Sequence, residues 1–145
     1  MSFQAFGIRS FVPDTGVREF VGHLAEGRVM ASHCRDCGRT AFPPRSCCPG
    51  CGSEAFDWTE IEGTGRLLTY TRVSYGPAGF EDKVPYTLAV AEFPMGVRVF
   101  GQVAAEVDAN DIAVGMPVRV VAHPLGGGRV SFHFVPADGL SAGAA

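Results

Sequence analysis

The chain has a single lysine, Lys83, a single tryptophan, Trp58, and only 19% charged residues over its 145 positions. With a net charge of −3, it lacks the basic footprint that broad nucleic-acid binding requires. The scarcity of Lys, Glu and Gln also excludes a coiled coil or a helix bundle. No apolar run approaches the roughly 18–20 residues of a membrane span. The opening Met1-Ser2-Phe3-Gln4-Ala5 has no positive region followed by an apolar stretch, so it is not read as a secretory signal. The expected location is cytoplasmic, with no membrane partner. There, five cysteines are thiols or metal ligands rather than a disulfide framework.

What is present is apolar and rich in turns. Hydrophobic residues make up 46%, enough for a real core, and 19 glycines and 10 prolines punctuate the chain. Val, Phe and Thr are plentiful, which favours short strands joined by turns. The length suits one compact domain or two very small ones.

Residues 1–13 carry Phe3, Phe6, Ile8, Phe11 and Val12 without a clear period and are expected to form an extended arm. Its rings either cover the rest of the domain or dock onto another subunit. Residues 15–26 fit a helix, with Val17, Phe20, Val21 and Leu24 on one face. Asp14 or Thr15 is the expected cap and Gly27 the stop. Five strands are expected at 65–75, 85–93, 97–107, 117–122 and 129–135. A hairpin at Pro94-Met95-Gly96 joins the second to the third, and Gly126-Gly127-Gly128 turns the fourth into the fifth. Five antiparallel strands in so few residues suit a small closed barrel, because closure removes exposed edges. Gly63 and Gly65 suit the bend it needs, and a five-stranded sandwich is the alternative. The expected divisions are an arm and helix at 1–30, a cysteine-bearing segment at 31–58, the barrel at 59–138 and a flexible tail at 139–145.

Cys34-Arg35-Asp36-Cys37-Gly38 is mirrored by Cys48-Pro49-Gly50-Cys51-Gly52. Each CxxC turn sets two sulfurs on one side of a tight knuckle. The glycine after it permits the left-handed backbone and lets amide N–H groups approach the thiolates. Two knuckles supply four soft ligands for tetrahedral Zn²⁺, at about 2.3 Å each. Iron in a rubredoxin-like Cys₄ site is the second possibility, and two separate thiol motifs the third. Cys47 adjoins Cys48 and is read as a bystander. Four cysteines close the shell, so the metal is structural, one per chain, and His33 is surplus. Arg35, Arg39 and Arg45 lie close enough in sequence to offset the thiolate charge.

Nothing else assembles a catalyst. His23, His123 and His133 read as structural, and His133 shares a strand face with Ser131 and Val135. GxSxG, Walker-type and dinucleotide-binding motifs are all missing.

The run from Phe20 to Ser53 carries the helix, both knuckles and Phe42-Pro43-Pro44-Arg45 between them. With Gly63-Thr64-Gly65, Pro85-Tyr86 and Ile112-Ala113-Val114-Gly115-Met116-Pro117-Val118, it resembles the zinc-ribbon/OB-fold family associated with acyl-CoA, formerly a domain-of-unknown-function family. The resemblance covers about residues 15–136. It implies a mainly β fold: an N-terminal helical segment, a rubredoxin-like zinc ribbon and a C-terminal five-stranded OB-fold barrel. It further implies a non-catalytic accessory subunit, in a hetero-oligomer with a thiolase-fold catalytic subunit and with a CoA thioester as ligand of the complex. Benzoylsuccinyl-CoA thiolysis in anaerobic aromatic degradation is one reaction so served. The loop 74–83 has the chemistry of a cover over such a ligand: Tyr75 and Phe80 for apolar contact, Lys83 for a phosphate. The rival is a zinc-ribbon/OB nucleic-acid binder. Against it, five arginines in the barrel face Glu81, Asp82, Glu92, Glu106, Asp108 and Asp111, a poor funnel for phosphate backbones.

Overall fold

The computed structural model describes residues 1–12 and 15–139. Asp14, a candidate cap, and the expected tail from residue 140 onward lie outside the described residues. The described residues run through one α-helix, α1 (Glu19–Ala25), and eight strands: β1 (Met30–Cys34), β2 (Thr40–Ala41), β3 (Phe56–Glu60), β4 (Gly65–Val73), β5 (Tyr86–Glu92), β6 (Arg98–Val103), β7 (Pro117–Gly126) and β8 (Arg129–Pro136). The first three form a small sheet in the order β2-β1-β3, and the last five close into a barrel in the order β4-β5-β6-β8-β7. Every barrel pair is antiparallel except β6 with β8, which meet in parallel over Gln102–Val103. This is the five-stranded OB barrel, and the sandwich is set aside.

The barrel forms because its strands alternate. Thr87, Ala89 and Ala91 point inward from β5, Val99 and Val103 from β6, Val118 and Val120 from β7, and Val130 and Phe134 from β8. Phe134 is fully buried at the centre of this core. Gly65 bends β4 where the barrel closes. A Cβ there would lie 2.9 Å from both the Glu92 carbonyl oxygen and the Phe93 ring. The third strand stops at Val103 rather than running to 107, because Ala104–Val107 fold into a turn closed by a hydrogen bond from Val107 N–H to Ala104 O. β7 in turn extends past 122 to Gly126, paired along the way with β8.

The helix begins at Glu19, four residues later than the expected start at residue 15. Thr15, Gly16 and Val17 make a preceding turn, in which the Thr15 hydroxyl accepts from Val17 N–H at 3.5 Å. Its C-terminus closes with paired bonds from Gly27 N–H to Leu24 O and from Arg28 N–H to His23 O. Seven residues cannot hold a helix alone. Burial of Phe20, Val21 and Leu24 does so, at about 1.5–3 kcal/mol for each large side chain.

The arm is not simply extended. Phe3–Ala5 make one 3₁₀ turn, and Phe6 then bridges Val130 in parallel. Gly7 N–H donates to Val130 O at 2.8 Å, and the Arg129 guanidinium donates to the Phe6 and Gly7 carbonyls. The Phe3 and Phe6 rings join Phe20, Phe42 and Phe132 in one aromatic cluster between helix and barrel. Phe3 and Phe6 thus cover the domain itself, while Phe11 stays 87% exposed. Among the described residues no helix is long and apolar enough to cross a membrane.

Candidate functional site

β1 delivers Cys34 to the first knuckle, and five residue pairs between β1 and β3 set the frame beneath it. The two knuckles repeat one hydrogen-bond pattern. Cys34 N–H donates to Arg39 O at 2.8 Å and Gly38 N–H to Cys34 O at 3.0 Å. In the second, Cys48 N–H donates to Ser53 O at 2.8 Å and Gly52 N–H to Cys48 O at 2.9 Å. Gly38 and Gly52 have φ of 77° and 76°, the left-handed turn that the sequence pattern requires.

The turns bring Cys34, Cys37, Cys48 and Cys51 together, with all four sulfurs within 4.8 Å of one another. Sγ–Sγ distances are 3.6 Å for Cys34–Cys51 and 3.4 Å for Cys37–Cys48. A tetrahedron with Zn–S bonds of about 2.3 Å has edges of about 3.8 Å, so the cradle fits Zn²⁺. The shell is complete with four thiolates and offers no open position for hydrolytic chemistry. Cys47 is exposed and stands outside the four. His33 turns to Thr40, 2.9 Å from Nδ1 to Oγ1.

Backbone amides tune the sulfurs. N–H groups of Cys51 and Gly50 pull the Cys48 thiol down to about 6. Those of Cys37 and Asp36 lower Cys34. Ser53 N–H pulls at Cys51, but the Cys34 thiol, burial, and the Cys37 and Cys48 thiols together outweigh it and push Cys51 up to about 12. The metal-free cluster therefore holds protons that Zn²⁺ must displace. The arginines divide in a way their spacing does not reveal. Arg39 lies over the second knuckle, close enough that a Cβ on Gly50 would meet its Nε at 3.0 Å. Arg35 instead pairs with Asp57 at 2.7 Å, linking the first knuckle to β3. A further link runs between the knuckles, from the Ser53 hydroxyl to the Asp36 carboxylate.

On the barrel, a cleft with a cavity volume of about 430 Å³ opens between the arm, the 74–83 loop and the β6–β8 junction. Phe80 and Lys83 line it, with Gln102, His123, Ser131 and His133 opposite. Tyr75 does not enter: it stands 89% exposed at the start of the loop. His123 and His133 stack with ring centroids 4.1 Å apart and planes 17° apart. Spacing within either strand gives no sign of this pair. It arises from the register that sets His123 opposite Ser131 and His133 opposite Val121. The alternation that put Ser131 and His133 on one face was the only clue in the sequence.

Two family profiles match the chain: the ChsH2 rubredoxin-like zinc ribbon domain over residues 22–57 and the ChsH2 C-terminal OB-fold domain over 58–123. A DUF35 domain-containing scaffold protein of Methanocaldococcus jannaschii is 32% identical over 117 residues, which is 79% of this chain and 82% of that protein. The benzoylsuccinyl-CoA thiolase subunit BbsA of Thauera aromatica is 32% identical over 81 residues, 54% of this chain and 55% of the subunit. Among solved structures, the Ltp2-ChsH2(DUF35) aldolase superposes with a TM-score of 0.73 at 27% identity, covering 89% of this chain and 99% of that one.

Proposed function

The chain belongs to the family of DUF35 domain-containing scaffold proteins, and from that premise we propose that it is a non-catalytic accessory subunit of a thiolase-superfamily enzyme acting on acyl-CoA thioesters. The observation that carries this reading is its joint likeness to a subunit of an acyl-CoA thiolase and to a chain of an aldolase assembly. The site chemistry supports it. The cysteine cradle is closed, so its metal cross-links the ribbon and leaves the reaction to a partner. That partner is a thiolase-fold catalytic subunit in a hetero-oligomer, in the cytoplasm.

The loop 74–83 is the element of this chain that meets the ligand or the partner. Tyr75 is free for a partner to cover, and a ring so exposed is a costly surface to leave in water. Phe80 offers an apolar wall, and Lys83 a cation for a phosphate of the CoA thioester. The OB barrel holds that loop at a fixed height on a rigid scaffold. Benzoylsuccinyl-CoA thiolysis in anaerobic aromatic degradation is the finer form of the proposal.

Reconstitution tests the reading. A thiolase-fold chain that co-purifies with this one is assayed for thiolysis with and without it, and with the Tyr75→Ala, Phe80→Ala and Lys83→Ala variants. Full activity only in the presence of the chain, and a raised KM with Lys83→Ala, support the accessory role. A catalytic subunit equally active alone contradicts it.

A further inference from the structure

The floor of the cleft is a patch of four polar side chains that the barrel register brings together. Gln102 stands beside His133 across the parallel β6–β8 pair, and Ser131 beside His123 across β7–β8. All four can donate a hydrogen bond, the histidines most strongly when protonated. The walls are apolar, from Gly7 and Ile8 of the arm and Phe80 of the loop, with Leu125 at one side. The volume lies within the range of about 300–1,000 Å³ usual for small-molecule sites.

Charged groups around the pair come from three directions. Asp82 and Lys83 reach it from the loop and Glu106 from the segment after β6, while Arg9 of the arm lies near the loop, its Nε 3.7 Å from where a Cβ on Gly79 would stand. Asp82, Lys83 and Glu106 are exposed on the rim, whereas both imidazoles are half-buried. Water weakens the rim charges, so the half-buried floor contributes most to what the cleft prefers, with Lys83 adding a cation from the rim. Burial and the neighbouring His123 hold His133 below the usual histidine range, against a weaker opposing pull from Glu106. Two imidazolium rings stacked at this distance repel each other unless a negative charge lies against both.

We propose that this cleft binds a small anionic group, a carboxylate or a phosphate, and that the His123–His133 pair takes up a proton as it does. Gln102 and Ser131 supply neutral donors to the same group, and Lys83 closes over it from the loop. The site shares Lys83 with the accessory-subunit reading, but it needs no partner, so the two stand or fall in separate experiments.

The test uses the full zinc-loaded chain alone. Imidazole proton resonances are followed by NMR between about pH 5 and 8, in chloride and then with acetate or inorganic phosphate at matched ionic strength. Expected is a rise in the titration midpoints of His123 and His133 with at least one of the anions, while that of His23 does not move. Affinity for that anion falls about tenfold from pH 6 to pH 8 as the imidazoles lose their protons. It also weakens severalfold in Lys83→Ala and His133→Gln. A response to acetate alone assigns a carboxylate, and to phosphate alone a phosphate. Should His133→Gln not fold, His123→Gln carries the same arm. Midpoints that neither anion moves, or equal movement at His23, overturn the proposal.

Discussion

The ribbon and the barrel solve the same problem by different means. The barrel buries Leu67, Val99, Val118 and Phe134 almost completely and is held by ordinary hydrophobic packing. In the ribbon, most residues between Arg35 and Gly52 are exposed, and Cys34 is the one knuckle ligand that is buried. A segment with so little apolar surface to bury cannot offset its conformational entropy without a cross-link. The metal takes the place of a core there, while α1, Val29, Ala31, Phe42 and Trp58 join the barrel's own core.

Metal removal separates the two most sharply. Structural zinc contributes about 10–16 kcal/mol of apparent binding free energy to such sites. A chelator, or Cys48→Ser, is expected to abolish amide-exchange protection over residues 34–53 while β4–β8 keep theirs. Loss of protection throughout would mean that the barrel also depends on the metal. Zinc retention should follow acidity as well. Cys37 and Cys51 carry raised thiol pKa values without metal, so Zn²⁺ competes with protons for them. Lower pH favours the protons, and bound zinc, read by a colorimetric chelator, is expected to fall steadily on acidification.

The converse substitution strikes the barrel. Phe134→Ala is expected to cost about 3–5 kcal/mol in denaturant unfolding, with zinc stoichiometry unchanged in native buffer. A smaller effect is expected at the arm. Arg129→Met removes two charged hydrogen bonds to arm carbonyls and should cost about 1.5–3 kcal/mol, with proteolysis near residues 7–12 accelerated. The smallest belongs to Arg35→Ala. Its ion pair with Asp57 is more than half exposed on both sides, and solvent screening leaves such pairs little net effect on stability. A larger loss would show that Arg35 also steadies the knuckle.

The parts legible in the sequence are those written in local spacing. Paired CxxC-Gly turns dictate the cysteine cradle whatever surrounds them, and period-two alternation dictates the barrel strands. What stayed hidden depends on contacts between distant residues. Phe6 meets Val130 across most of the chain, so an arm without periodicity could not disclose that it folds back. The helix lost its first turn because Thr15 and Gly16 favour a separate turn, a competition that an apolar pattern does not register. Arg35 turned away from the sulfurs because β3 brings Asp57 beside it, 22 residues on. The loop residues Phe80 and Lys83 reach one cleft while Tyr75 points elsewhere, and the stacked histidines exist only through strand register.

The most direct measurement is native co-purification from the source cell, with the retained chains identified by mass spectrometry and counted. The accessory-subunit account predicts a thiolase-fold catalytic chain in fixed stoichiometry with this one, and no nucleic acid. Recovery with polymerase or ribosomal proteins and bound RNA or DNA would contradict it and favour a zinc-ribbon/OB nucleic-acid binder.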